Sequence, residues 1–254
     1  MNININKIES NLFGHFKYLP KILGFDVKQT PEATIIDTGL ASSMFNIVCE
    51  VHLTEQSLNQ SIENIIKAYK GQNFAFWLGP SSEPINLGQE LQKHGFIKET
   101  NEHAMICDLS IIKPTNSLLK KLKIKLVDSI KLLQDFISIL EVYDSSARTF
   151  YEQIINPALS IKEKLFVGYE GETPVIIAII YLNKDIAGIF SLLTKEEARG
   201  KGYGNEMMIH LMNFAKQNGA TYASLSASSD NGFRIYERLG FKTVGIFECL
   251  EWRE

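Results

Sequence analysis

"TKEEARGKGYGNEMM", Thr194 to Met208, sets glycines at 200, 202 and 204, with Arg199 and Lys201 interleaved, between an apolar run and a segment of helical period. A strand, a glycine-rich turn and a helix together make an anion site. The helix N-terminus offers unpaired N–H groups and the positive end of its dipole, and glycine lets a phosphate reach the backbone without meeting a Cβ. A turn that is glycine-rich for tightness alone is the plainer reading, but alternating glycines beside two cations favour the anion site. Spacing then narrows the ligand. A Walker loop needs Ser or Thr after its lysine, and Lys201 is followed by Gly202; a GxGxxG fingerprint counted from Gly200 ends on Asn205. The pattern that fits is R-x-x-G-x-G, filled by Arg199, Gly202 and Gly204.

On the N-terminal side, "LFVGYE", "TPVIIAIIYL" and "IAGIFSLLT" alternate with turn signals and predict an antiparallel meander from Leu165 to Thr194. On the other side, Tyr203, Met207, Met208, Leu211, Phe214 and Ala215 recur at helical spacing up to the Asn218-Gly219 stop. A strand "TYASLSAS", a short helix "NGFRIYERL" ended by Gly240, and a last strand "FKTVGIFECLEW" follow. Before the meander, "KIKLV" predicts an opening strand, and "IKLLQDFISILEVY" and "ARTFYEQIIN" predict helices. The expected class is α/β (α+β), a mixed, mostly antiparallel sheet flanked by helices.

The first part of the chain carries a fainter copy of this ending. "AFWLGPSSEPINLGQELQKHGFIKETNEHAMICDL" parallels "ASLSASSDNGFRIYERLGFKTVGIFECLEW" in pattern, and "LNQSIENIIKAYKGQ" corresponds to the helix after the glycine loop. A repeat of this size predicts two tandem copies, 1–113 and 114–254. "LLKKLKIKL", Leu118 to Leu126, would join them, its lysines a solvated face of linker and first strand.

The pair "ARGKGYG" and, about 30 residues on, "SDNGFRIYERLGF" resembles the two signatures of the GNAT superfamily of acyl-CoA-dependent N-acetyltransferases. The likeness runs from about Lys123 to the C-terminus, and the whole chain resembles a tandem type in which a shortened, degenerate copy precedes an intact one. Two positions depart from the family pattern: Glu196 stands where proline is usual, and Ser229 where an asparagine usually opens the penultimate helix. In the first copy the loop position reads "TEQSLN", without glycine or arginine, and Leu91 stands where Tyr236 does, so that copy is not expected to bind CoA in the usual way.

The resemblance implies an acetyl-CoA-dependent transfer to a primary amine. It implies that Arg199, Gly200, Lys201, Gly202, Tyr203, Gly204 and Asn205 hold the CoA pyrophosphate through N–H groups, and that Leu192, Leu193 and Thr194 pair with the pantetheine arm. A neutral amine would attack the thioester directly, the oxyanion taking a strand N–H near Leu192. Tyr236 would protonate the leaving thiolate; the plainer reading is a core ring with its hydroxyl at the edge. Ser229 would cap its helix or touch the ligand. The base is not named by the sequence: Glu248, Glu251, Glu152 and Asp185 are candidates, each also readable as a solvated charge. The alternative function is a CoA-binding or scaffolding module without turnover.

Composition bounds the rest. With 45% apolar and 22% charged residues the chain reads as an ordinary globular protein. Its net charge of −3 argues against a nucleic-acid partner. All five arginines come after Lys113, which draws phosphate chemistry towards the C-terminal part. Cys49, Cys107 and Cys249 have no CxxC pairing and read as buried small hydrophobes of a reducing, cytoplasmic setting. "PVIIAIIYL" is about half the ~20 residues needed to cross a bilayer, and "MNININKIES" lacks a secretory pattern. No membrane association or metal is expected: the histidines at 15, 52, 94, 103 and 210 show no ligand spacing, and His210 reads as a surface residue. The expected partner is a small-molecule or peptide amine acceptor, the assembly a monomer or homodimer. "FAFWLGP" with Trp77 reads as a core strand in preference to a cleft wall.

Overall fold

The computed structural model describes residues 3–69, 71–111, 121–156 and 160–253. The chain divides into two compact units, one of residues 1–104 and 244–254, the other of residues 105–243. The expected boundary at 113/114 lies outside the described residues. The division gives residues 244–254 to the first unit, whereas the sequence pattern groups them with 114–254.

The second unit holds the meander as expected. Strands β7 (Glu163–Glu170), β8 (Thr173–Asn183) and β9 (Ile186–Thr194) are antiparallel neighbours, and β6 (Lys123–Leu126) pairs antiparallel with β7. β8 reads as a continuous buried run from Val175 to Tyr181 because both its faces are covered. Each fully buried isoleucine there contributes roughly 1.5–3 kcal/mol. Helix α6 (Tyr203–Gln217) presents Tyr203, Met207, Met208, Leu211, Met212 and Ala215 to this core, a stripe at the predicted period. It crosses over to β10 (Tyr222–Ala227), which lies parallel to β9. Helix α7 (Asp230–Arg238) comes next, then β11 (Lys242–Trp252). Strand order in this unit is β5-β10-β9-β8-β7-β6, with β5 spanning Ile97–Asp108.

Helices α4 (Ile130–Leu140) and α5 (Ser146–Tyr151) are shorter than the pattern predicts. α4 stops at Leu140, three residues before Tyr143, because its buried stripe of Leu133, Phe136, Ile137, Ile139 and Leu140 ends there. Val142 and Tyr143 then lie in an exposed turn.

In the first unit, α1 (Ile3–Leu23) precedes strands β1 (Asp26–Gln29), β2 (Thr34–Asp37) and β3 (Ile47–Cys49). Sequence pattern did not announce these four elements: the helix contains Gly14 and Pro20, and the strands are three or four residues long. Helix α2 (Leu58–Ala68), β4 (Phe74–Leu78) and α3 (Leu87–Lys93) fall where the repeat predicts. β3 and β4 run parallel with α2 between them, and β4 pairs antiparallel with Glu248–Trp252 of β11. That pairing is why the last residues join this unit. Trp77 sits in β4, its ring 5.2 Å from Phe16, as a core-strand residue. All three cysteines are buried and free, and burial pushes each thiol above its ordinary range, Cys107 to about 11. Among the described residues no helix is long and apolar enough to cross a membrane.

Candidate functional site

The parallel register of β9 and β10 runs Ile186 with Tyr222, Ala187 with Ala223 and Gly188 with Ser224, and stops there. β9 continues to Thr194 and β10 to Ala227, so two strand ends part from a common root. Burial tracks the parting: Ile186 to Ile189 are buried, Phe190 to Thr194 only partly. On the other side of β9 the register against β8 slips between Ile177–Leu193 and Ile179–Phe190, so that Ser191 and Leu192 together face one residue. Ser191 has φ of 48°, a left-handed conformation that costs a non-glycine residue about 1–3 kcal/mol. Beyond the bulge, the Lys195 N–H donates to the Val175 carbonyl at 2.9 Å. The Thr194 carbonyl, on the opposite side of that peptide, therefore points away from β8.

The chain then makes one 3-10 turn, Glu196–Ala198, and enters the glycine loop. Glu196 is accommodated in that turn. Gly200 and Gly202 have φ of 78° and 87°, and a Cβ on either would meet nothing within 4 Å. Conformation, not crowding, is what demands glycine at these two positions. Gly202 occupies the N-cap of α6 without a side chain to fill the first-turn donors. Among the described residues, the backbone N–H groups of Gly200 to Asn205 have no acceptor. Gly204 differs from the other two: it lies in the helix, and a Cβ there would stand 3.9 Å from Ile235 Cδ1. This contact brings the first turn of α6 against α7, next to Tyr236.

Tyr236 is partly buried against the core, its ring 6.1 Å from Phe241. A Cβ on Gly232 would be 3.2 Å from the Tyr236 ring and 3.3 Å from its hydroxyl, which places the phenol one turn back towards the start of α7. Ser229 caps that start, its Oγ accepting the Gly232 N–H at 3.2 Å. The cap half of its predicted role is thus occupied by the helix.

The two loop cations are held differently. Lys201 pairs with Glu170 at the end of β7, 2.8 Å away, and the same carboxylate accepts the Tyr203 hydroxyl at 2.5 Å. Lys201 and Tyr203 hold the Glu170 carboxyl below its ordinary range, and the carboxylate in turn pushes the Tyr203 phenol up to about 12. The Tyr203 ring is core, so its part in the loop is its backbone. Lys121 Nζ donates to the Lys201 carbonyl at 3.2 Å, and the Lys121 and Leu122 N–H groups donate to Glu206 at 3.2 and 3.1 Å. Arg199 instead turns back: its Nε donates to the Thr194 carbonyl at 3.3 Å and its Nη2 to the Tyr143 hydroxyl at 3.0 Å.

Leu192, Leu193, Thr194, Arg199 and the loop to Asn205 thus form one continuous segment, with α7 packed on its helical end. Three of the four base candidates are held in ion pairs. Glu152 pairs with Arg148 at 2.8 Å, Glu248 with Lys98 at 3.0 Å and Glu251 with Arg253 at 2.6 Å, the last two within the first unit. The Asp185 carbonyl accepts the N–H groups of Thr221 and Tyr222. His210 departs from the surface reading: it packs edge-on to Phe166 at 5.5 Å, and burial lowers its pKa. Ser191, Glu170, Glu206 and Tyr143 went unnoticed in the sequence, where they read as strand, turn or helix residues. Among the described residues no group of three or more His, Cys, Asp or Glu could hold a metal ion.

Residues 132–241 match the model of the Acetyltransferase (GNAT) family. No curated protein matches the chain. Similar solved structures include a GCN5-related N-acetyltransferase from Kribbella flavida, 16% identical, with a TM-score of 0.74 covering 99% of this chain and 96% of that one. A functionally unknown conserved protein from Staphylococcus epidermidis ATCC 12228 is 17% identical, with a TM-score of 0.69 covering 94% of this chain and 99% of that one. A tandem GNAT protein from the clavulanic acid biosynthesis pathway is 10% identical, with a TM-score of 0.57 covering 81% of this chain and 74% of that one. At these identities the likeness is one of fold.

Proposed function

We propose that the chain is an acetyl-CoA-dependent N-acetyltransferase whose second unit transfers an acetyl group to a primary amine. One observation carries the reading: a strand that parts from its parallel neighbour runs into a loop whose successive N–H groups, Gly200 to Asn205, have no acceptor among the described residues. The open donors at a helix N-terminus suit the CoA pyrophosphate. The parted end of β9, Leu192 to Thr194, suits the amides of the pantetheine arm.

Transfer needs few side chains. The amine attacks the thioester carbonyl carbon, the oxyanion is met by the Leu192 N–H, and collapse expels the CoA thiolate. The nitrogen sheds its extra proton to solvent as the amide forms, while Tyr236 gives the thiolate its proton and regains one from solvent. Holding donor and acceptor together supplies much of the acceleration. The tandem arrangement, with a degenerate first copy, belongs to the same proposal and is supported by the order strand, crossover helix, parallel strand, short helix, strand, which occurs twice along the chain, from β3 to β5 and from β9 to β11.

The assay is release of CoA from acetyl-CoA across a panel of amines and peptides, read as free thiol. Turnover with an acceptor that depends on Tyr236 supports transfer. CoA binding with no turnover on any amine favours a CoA-binding module, a reading prompted by the ion-paired state of Glu152, Glu248 and Glu251.

A further inference from the structure

Tyr143 lies in the turn between α4 and α5, outside every motif of the sequence, yet it closes a ring of hydrogen bonds on the cofactor loop. Its hydroxyl donates to the Thr194 carbonyl at 3.3 Å and accepts from Arg199 Nη2 at 3.0 Å, while Arg199 Nε donates to the same carbonyl at 3.3 Å. The directions are mutually consistent, since a phenol can give one hydrogen and receive another. The ring uses two of the five guanidinium N–H groups, and the other three have no acceptor among the described residues. The other loop cation, Lys201, is already neutralised by Glu170. Arg199 is thus the loop's available side-chain charge, held in one orientation immediately before Gly200.

We infer that Tyr143 is a positioning residue for the phosphoryl end of the co-substrate: it holds Arg199 against the end of β9 so that the free guanidinium edge can receive a phosphate oxygen. A planar guanidinium fixed at one edge offers its other edge with little further loss of freedom. The inference rests on the CoA reading of the loop.

The test is calorimetric binding of CoA and of 3′-dephospho-CoA, which keeps the pyrophosphate, to the unaltered chain, Tyr143→Phe, Arg199→Gln and the double variant. Tyr143 is 44% exposed, so the phenylalanine variant should melt with the parent. Removing one such hydrogen bond should weaken both ligands roughly three- to tenfold. In the Arg199→Gln background the Tyr143→Phe change should add less than about twofold, because Tyr143 acts through Arg199. Parent-like binding by Tyr143→Phe, or independent losses that multiply in the double variant, would overturn the inference and leave the CoA reading standing. Failure of the unaltered chain to bind either ligand would overturn both.

Discussion

Two crossovers in this molecule share a plan and differ in their openings. In the second unit β9 leads through the glycine loop and α6 to the parallel β10. In the first, β3 leads through "VHLTEQS" and α2 to the parallel β4. Each has a non-glycine residue in the left-handed region near the end of the leading strand, Ser191 at φ 48° in the bulge of β9 and Glu50 at φ 52° just after β3. The two chains then continue in opposite ways. Beyond Glu50 the backbone is zipped to the segment after β4: Leu53 N–H donates to the Glu83 carbonyl and Glu83 N–H to the Val51 carbonyl, both at 2.9 Å. Val51 and Leu53 are buried in the local core. At the start of α2 the Thr54 carbonyl accepts from the N–H groups of Ser57, the N-cap, and Leu58, the first helical residue. Beyond Ser191 the strand end is partly exposed, and the donors of the loop find no acceptor among the described residues. The backbone after β3 is thus paired largely within the fold, whereas the loop after β9 keeps a run of open donors among the described residues.

The short helices repeat the lesson. Phe96 N–H donates to the Leu91 carbonyl at 3.1 Å, and Phe241 N–H to the Tyr236 carbonyl at 3.0 Å, each after a glycine with φ above 90°. The ends of α3 and α7 are built alike. Leu91 is fully buried, whereas Tyr236 is only partly so and carries a hydroxyl.

The contrast between Leu91 and Tyr236 predicts the largest effect. Tyr236→Phe should lower the turnover number for CoA release by about a hundredfold with CoA affinity unchanged, the scale of a lost general acid; a loss below about tenfold would remove that role. The loop comes next. At a hundredfold excess over Kd, CoA should raise the melting temperature of the unaltered chain by roughly 5–10 °C. Valine at both Gly200 and Gly202 should abolish that rise, since β-branched side chains are strained at φ near 80°. Persistence of the rise would show that the ligand sits elsewhere.

Within the first unit, Leu91→Ala should cost about 2–5 kcal/mol of stability in denaturant titrations, with CoA affinity and a stoichiometry of one CoA per chain retained. A second equivalent of CoA, or weakened affinity, would assign ligand binding to that unit as well.

The smallest effect concerns Glu170. Its carboxyl is held below the ordinary value of 4.5, so the folded chain binds that proton less readily than the unfolded chain. The stabilisation is present above that value and is lost as pH falls through the lower, folded one. Glu170→Gln should flatten the acid limb of the melting profile below about pH 4.5 and leave neutral pH nearly untouched. An unaltered acid limb would mean that Lys201 and Tyr203 do not hold the carboxylate.

Residue order alone was enough for the elements whose burial is periodic and whose ends carry strong signals. The meander from β7 to β9, the α6 stripe, the Gly240-Phe241 stop and the glycine loop were all legible, because apolar spacing and positive φ are local demands. It also marked the single glycine-bearing crossover. α1 and β1 to β3 were not legible: a helix holding Gly14 and Pro20 and strands of three or four residues draw their stability from tertiary packing. It took the folded chain to establish that β9 and β10 part after Gly188 and that the last strand completes the first unit. The same holds for Glu170 and Tyr143, which brace the loop from 33 and 56 residues away from Tyr203 and Arg199, and for Glu206, which accepts the N–H groups of Lys121 and Leu122 from 85 and 84 residues away. Pairing register and contacts between distant side chains depend on how elements pack, and nothing in the local spacing of residues encodes them.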